Sequence, residues 1–242
     1  MPVQEAVELG DLADRLGAAK SVFVLTGSGI SAESGLPTFR GVGGLWRTHR
    51  VEELASTAGF ARDPRLVWTW YDERRRAHQA VEPSAAHLAL AQIEERAGDF
   101  TLATQNVDSL HLRAGSRNVL ELHGKLREAK CTQCDARRPF DDALDLTALE
   151  HECGGMWRPD IVWFGETLPT DVLEAAFEAA GRADLMLVIG TSGMVRPAAS
   201  LATKAVTQAY VVEINPEETA LTAHVDRSIR ARASDVLPQL VT

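Results

Sequence analysis

His123, set between Leu122 and Gly124, carries an imidazole, a group that titrates near neutral pH and is suited to acid–base work. Gln105-Asn106-Val107-Asp108 gathers two amides and a carboxylate, and the Asn106 amide can donate and accept hydrogen bonds without carrying charge. Gly27-Ser28-Gly29-Ile30-Ser31-Ala32 satisfies a loose G-x-G-x-x-A, in which small residues let backbone N–H groups approach a pyrophosphate at a helix N-terminus. The acidic residue that an ordinary dehydrogenase places at the end of a second strand, about 20 residues on, is missing, since Glu52 has no strand-like surroundings. Hydride transfer is therefore disfavoured. Cys131-x-x-Cys134 with a later Cys153 has the spacing of a structural zinc site short of one ligand, and either Glu150 or His151 can complete it. Tyr71 and Arg74, at i and i+3, share one face of a helix and can grip a carboxylate with a phenol and a guanidinium, although an Arg-rich run is ordinarily a solvated face.

These residues need elements to hold them. Apolar spacing from Leu9 to Ala19 predicts a helix, and Ser21–Leu25 a buried strand leading straight into the glycine loop. Asp63-Pro64 is an N-cap and N1 pair that opens a helix through WTWYDERRR, and Pro83-Ser84 opens another that stops at Gly98. Phe100–Ala103, Leu185–Ile189 and Tyr210–Ile214 read as central parallel strands, each followed by a polar loop. Strand, polar loop and helix in repetition predict an α/β fold, a doubly wound, Rossmann-like parallel sheet whose ligand sits at the strand C-termini. The pattern breaks between Gly124 and Asp160. The expected division is a discontinuous nucleotide-binding domain of residues 1–45, 84–123 and 161–242, with a smaller inserted domain of helical (46–83) and zinc-ribbon-like (124–160) parts.

GSGISAESGLPTFRGVGGLWR, Gly27 to Arg47, resembles the cofactor loop of the sirtuin family of NAD-dependent protein deacylases. The resemblance continues in family order through Gln105–Asp108, Leu122-His123-Gly124, Arg158–Glu166, Gly190-Thr191-Ser192 and Asn215-Pro216-Glu217. Ser28 departs from it, standing where alanine is usual. The resemblance implies NAD as co-substrate, His123 as general base, and Asn106 and Asp108 at the nicotinamide-ribose part. It implies further NAD contacts at Gly27, Ser28, Gly29, Ala32, Glu33, Thr38, Phe39, Arg40, Trp46, Gln105, Val107, Gly190, Thr191, Ser192, Asn215, Pro216, Glu217 and Ala233. Val162, Trp163, Phe164 and Gly165 resemble the strand that pairs with an extended substrate peptide, where main-chain bonds give affinity with little selectivity. Tyr71 and Arg74 resemble the pair of the class that prefers succinyl, malonyl and glutaryl lysine, so acylated lysine in proteins is the expected partner, with acetyl a possible second substrate. Zinc, held by Cys131, Cys134, Cys153 and His151, would be structural, because no ligand cluster accompanies His123.

Composition limits the alternatives. The net charge of −9 argues against a nucleic-acid surface, which needs clustered Lys and Arg. No apolar run reaches the roughly 18 to 20 residues of a membrane span, and with three cysteines the chain reads as cytoplasmic. Nothing in the sequence specifies an oligomeric state. A plain deacetylase, a mono-ADP-ribosyltransferase and a noncatalytic NAD-sensing module are the other readings, and the intact His123 and glycine loop speak against the last.

Overall fold

The computed structural model describes residues 3–38, 50–140, 145–205 and 208–241; the expectations for Phe39, Arg40 and Trp46 lie outside them. The strands are β1 (Ser21–Thr26), β2 (Asp99–Thr104), β3 (Val119–Glu121), β4 (Gly124–Cys131), β5 (Arg137–Pro139), β6 (Trp157–Ile161), β7 (Leu185–Ile189), β8 (Tyr210–Ile214) and β9 (Arg227–Ile229). The helices are α1 (Val3–Ala18), α2 (Ser28–Ala32), α3 (Val51–Leu54), α4 (Thr57–Arg62), α5 (Pro64–Gln79), α6 (Ala85–Arg96), α7 (Leu110–Arg113), α8 (Thr170–Arg182), α9 (Ala199–Ala205) and α10 (Ala233–Val236). None is long and apolar enough to cross a membrane.

Six parallel strands form one sheet in the order β3-β2-β1-β7-β8-β9. The strands read as such from apolar runs are buried on both faces because helices cover both. Val22 and Val24 of β1 pack with Leu12 of α1 and Leu90 of α6, while Phe23 and Leu25 pack on the other face with Ala176 of α8 and Leu201 of α9. Each such side chain fully removed from water contributes about 1.5 to 3 kcal/mol. The predicted doubly wound fold is present. Register matters as much as order: Thr26 of β1 is opposite both Thr104 of β2 and Ile189 of β7. The three strands therefore end level, and Gly27, Gln105 and Gly190 leave the sheet side by side. Glu52 falls in α3, consistent with the missing dehydrogenase acid.

The helix caps are those expected. Asp63 accepts from the Leu66 N–H at the start of α5 (2.9 Å), with Pro64 at its first position, and the Ser84 N–H donates to His87 Nδ1 (3.2 Å) at the start of α6.

A second, antiparallel sheet, β5-β4-β6, belongs to the inserted segment. Its core is aromatic. Trp68, Trp70 and Tyr71 of α5 pack with Phe140, Trp157 and Trp163, and the Trp68 indole donates to the Trp157 carbonyl (2.8 Å), tying the helix to the sheet. The run of β-formers Ile161–Gly165 predicts a strand there, whereas the strand observed is Trp157–Ile161. Beyond it Gly165 takes a positive φ of 89° and Glu166 accepts from the Trp163 N–H (2.8 Å), so the chain turns. Local β-propensity is overridden by that carboxylate cap.

At the far end of this module Cys131, Cys134, His151 and Cys153 bring one donor atom each within 4.8 Å of the others. Cys131 Sγ is 3.5 Å and Cys134 Sγ 3.6 Å from Cys153 Sγ, and His151 Nδ1 is 3.0 Å from Cys153 Sγ. A tetrahedral zinc with Zn–S bonds of about 2.3 Å has S–S edges near 3.8 Å, so three thiolates and an imidazole fit that ion. The Gln133 N–H, donating to Cys131 Sγ, is the largest of the influences that pull this thiol down to about 7, toward the thiolate a metal needs. The fourth donor is His151, not Glu150, whose backbone makes an isolated bridge to Met156. Purified protein is expected to carry one zinc per chain, and Cys131→Ser to lose it and unfold at a lower temperature. Elemental analysis and thermal unfolding check this; metal-free protein with an unaltered midpoint in the variant contradicts it.

Candidate functional site

Because β1, β2 and β7 end level, their following loops converge where the strand order reverses on either side of β1 and β7, the place at which open α/β sheets leave a crevice. A cleft of about 390 Å³ opens there. Its lining takes Gly27, Ser28 and Gly29 from the loop after β1, Gln105–Val107 after β2, Gly190–Ser192 after β7, and Asn215 and Glu217 after β8. The other side is closed by Tyr71 and Arg74 of α5 and by Val162–Gly165, which follow β6.

The two glycines are dictated by a neighbouring loop. The Gly29 N–H donates to the Gly190 carbonyl (2.8 Å) and the Gly27 N–H to that of Ile189 (3.0 Å). A Cβ on Gly27 would stand 2.8 Å from the Gly190 oxygen, and one on Gly29 would stand 2.7 Å from Gly190 Cα. Gly190 itself has φ +60°, and its own Cβ would be 2.5 Å from the Ile30 nitrogen. Backbone packs on backbone, and α2 is thereby aimed with its N-terminus at the cleft.

The polar residues after β2 are fixed by this loop. Asn106 is buried and spends both amide hydrogens on protein, on the Gly27 carbonyl (3.0 Å) and Ser31 Oγ (3.1 Å); Oδ1 is the atom left for a ligand. Ser31 in turn donates to Asp108 (2.6 Å), whose other oxygen accepts from the Leu110 N–H (2.9 Å). Asp108 lines a small recess beside the cleft, together with Arg74, His78 and Asn106. Gln105 reaches across to Thr191 Oγ1 (2.8 Å), joining the β2 and β7 loops.

His123 sits between β3 and β4. Its carbonyl accepts from the Val162 N–H (2.9 Å), and Gly124 after it has φ +86° where a Cβ would lie 2.1 Å from the Asp160 oxygen. The ring is held as well: Nδ1 is 2.9 Å from the Gln105 carbonyl. A carbonyl only accepts, so Nδ1 carries the proton and Nε2 is the basic nitrogen. Burial lowers the His123 pKa, opposed by the Gln105 bond, so the ring is neutral at neutral pH. That is the state of a general base.

On the module side the Trp163 indole donates to Tyr71 Oη (3.0 Å), which leaves the phenolic hydrogen free to serve a ligand. Arg158 stacks on the Trp163 ring, 3.3 Å from its centroid, and is paired with Glu166 (3.0 Å from Nη2). Burial raises the Tyr71 pKa, so it stays a neutral donor. Arg74 lies over Trp70, 4.3 Å from the ring centroid, and its buried Nε has no hydrogen-bond partner among the described residues. Burial lowers its pKa without discharging it.

Other sequence-chosen residues stand elsewhere. Thr38 reaches the cleft, but Ala32 and Pro216 are exposed away from its lining. Glu33 caps α10, accepting from the N–H groups of Ala233 (3.0 Å) and Ser234 (2.9 Å), and Ala233 is buried in the core. The cysteine cluster contributes nothing to the lining. Sequence reasoning missed Val195, Arg196, Pro197, Thr219 and His78, all of which line the cleft. The first three follow Ser192 within the same strand-end loop, and His78 is one turn beyond Arg74; those spacings were the available signals.

The Sir2 family model matches residues 27–197, well over half of the chain. A protein named NAD-dependent protein deacylase 2 from Pyrobaculum aerophilum is 48% identical over 233 residues, covering 96% of this chain and 94% of that one. An NAD-dependent protein deacylase 1 from Caldanaerobacter subterraneus is 51% identical over 214 residues, covering 87% and 88%. A solved Sir2 homologue in complex with NAD superposes with a TM-score of 0.90 at 46% identity, covering 96% of this chain and 92% of that one. The chain belongs to the Sir2, or sirtuin, family.

Proposed function

We infer that this protein is an NAD-dependent protein-lysine deacylase, and we propose that it acts preferentially on acidic acyl groups such as succinyl and malonyl. The observation that carries the deacylase reading is His123 fixed by the Gln105 carbonyl beside the glycine loop. A neutral Nε2 faces the cleft at the switch point of the sheet. Relatives of nearly full-length coverage named NAD-dependent protein deacylases support it.

NAD, held along the strand ends, would supply an electrophilic ribose carbon as nicotinamide leaves, and with one water consumed the acyl group would end as an ester on ADP-ribose and the lysine amine would be released. The protein's own work is orientation, exclusion of water and one proton movement. The loop after β1 presents the N-terminus of α2 to the diphosphate, while Asn106 offers Oδ1 and Gln105 holds the adjoining loops in register. Asn215, whose amide donates to the Thr191 carbonyl (3.2 Å), and Glu217 lie where the adenosine half would extend. His123 takes a proton from a ribose hydroxyl through Nε2 and passes charge stabilisation to the Gln105 carbonyl through Nδ1–H. Val162–Gly165, with the exposed Phe164 ring, border the mouth for the substrate chain.

Acyl preference rests on α5. A carboxylate entering an apolar recess costs several kcal/mol unless a partner meets it. Arg74, charged, half-buried and with an Nε that has no hydrogen-bond partner among the described residues, is such a partner, and the Tyr71 hydroxyl adds a second donor.

His123→Ala is expected to fold and bind NAD but to lose about 10²- to 10⁴-fold in turnover, the usual worth of a general base. Near-normal kcat in that variant, measured by mass spectrometry of peptide products, sinks the assignment. The pH profile follows from the same residue. Its lowered pKa keeps the base unprotonated down to the ordinary value of about 6.5, so kcat/KM should hold to that pH and fall only below it. An acid limb already descending above pH 7 would contradict the assignment. For acyl choice, Arg74→Met keeps the apolar stem and removes the fork. Succinyl kcat/KM should drop by the equivalent of about 2 to 5 kcal/mol while deacetylation is retained, and Tyr71→Phe should shift the succinyl-to-acetyl ratio less, in the same direction. Equal loss of both activities, or a wild-type preference for acetyl, makes the chain a plain deacetylase.

A further inference from the structure

The cleft residues that follow β2 depend on a histidine that does not reach the cleft. His111, in α7, is buried, and it is absent from the cleft lining. Its Nε2 is 2.9 Å from Oγ1 of Thr26, the last residue of β1, and Thr26 Oγ1 donates to Thr104 Oγ1 at the end of β2 (2.8 Å). With its hydrogen spent there, the Thr26 oxygen accepts from the ring, so His111 Nε2 carries the proton. Thr104 Oγ1 also accepts from the Asn106 N–H (3.1 Å). All three side chains are buried, so no solvent competes for these bonds. Burial, with the neighbouring His87 ring a lesser influence, holds the His111 pKa well below its ordinary value, and the ring is neutral. His111 Nδ1 has no hydrogen-bond partner among the described residues, so the ring is anchored through Nε2.

Thr104 and His111 are the two ends of one segment, 104–111, which carries Gln105, Asn106 and Asp108 into the site. Thr26 bonds both ends. The segment needs such a closure, because Ser109 has φ +64° and ψ +13°, the left-handed region that a side chain disfavours. Among the described residues it is the only one other than glycine with a positive φ. Backbone of this kind persists where its surroundings over-determine it. Arg127 Nη1 donates to Ser109 Oγ from outside (2.8 Å), the Leu110 N–H donates to Asp108 within the turn (2.9 Å), and the His111–Thr26–Thr104 chain joins the ends.

We propose that His111 is a positioning residue for the reaction: by bonding Thr26 it closes the segment 104–111 and sets the direction of Asn106 Oδ1, the atom that the site leaves for a ligand. This rests on the deacylase reading of the site. His111 touches neither cofactor nor acyl group and acts through Asn106. Without its bond the two ends part, Ser109 relaxes out of the left-handed region, and Asn106 turns with it.

The test measures kcat and KM of the full-length enzyme on the acyl-lysine peptide that wild type turns over fastest, for wild type, His111→Leu, His111→Gln, Thr26→Val and Thr26→Ser. His111→Leu and Thr26→Val should each lower kcat by about 10- to 100-fold, the scale of a site group misplaced by about 1 Å, and leave the peptide KM nearly unchanged. Thr26→Ser keeps the hydroxyl and should behave as wild type, while His111→Gln, with an amide N–H near the Nε2 position, should recover part of the loss. Coupling to Asn106 separates positioning from a merely structural role: in an Asn106→Ala background His111→Leu should cost little more, because the residue through which it acts is gone. Additive losses in that pair, or a Thr26→Ser as impaired as Thr26→Val, overturn the proposal. Should His111→Leu fail to fold, Thr26→Val breaks the same bond with the ring in place, and an unchanged kcat there overturns it equally. A wild type without deacylation on any acyl peptide overturns the deacylase reading and this proposal with it, whereas an active wild type with unaffected variants overturns this proposal alone.

Discussion

The contact on which the site depends is made by backbone alone. The Gly29 N–H meets the Gly190 carbonyl at 2.8 Å, so the loops after β1 and β7 touch with no side chain between them. This contact is possible because the parallel register puts Thr26 beside Ile189 and the strand order reverses at that boundary. From it follow the aim of α2, the carbonyl of Gly27 that receives Asn106, and through Ser31 the position of Asp108. A methyl group at any of the three glycines would force the loops apart and disturb every one of these bonds at once. Glycine is required here by the neighbouring loop, before any cofactor is considered.

The second constraint is the joining of two sheets across His123. Leu122 is buried under the end of β2, giving its N–H to the Thr104 carbonyl (2.9 Å), and the carbonyl of the next residue accepts from the Val162 N–H just beyond β6. The catalytic candidate is thus at the seam. The module is held rigid by its aromatic core, by the Arg158–Glu166 pair against Trp163, and at its outer end by the three cysteines and His151. A zinc ion held there would act on the chemistry only through the shape of the module, because these donors are absent from the cleft lining.

Burial sets the charge states. The same desolvation that keeps His123 uncharged and basic keeps Tyr71 protonated, so both are neutral partners at neutral pH. Arg74, by contrast, remains charged on the face of Trp70, in a wall that also carries Tyr71, Trp163 and Phe164. The cleft lining thus combines a neutral base, His123, with two cations, Arg74 on α5 and Arg196 in the loop after β7.

The sequence by itself determined the elements and the motifs. Runs such as SVFVLT and LMLVI are strands because they are apolar on both faces, and Asp63-Pro64 starts α5 because an Asx cap and a fixed φ act within four residues. The family was legible in motifs spread from residue 27 to residue 217. Tertiary structure decided what depends on distant partners. His151 and not Glu150 completes the thiolate cluster, since two loops nearly twenty residues apart fix which side chain faces Cys134. Glu33, close in sequence to the glycine loop, is drawn away to cap α10, and Trp163 and Phe164, β-formers by type, turn because Glu166 returns to cap the Trp163 N–H. His78 was signalled only by its spacing one turn beyond Arg74, and the packing of α5 against the loop after β2 is what brings it to the recess. Local rules act over a few residues and can be read along the chain; which buried atoms find partners is settled only when segments far apart in sequence are brought together.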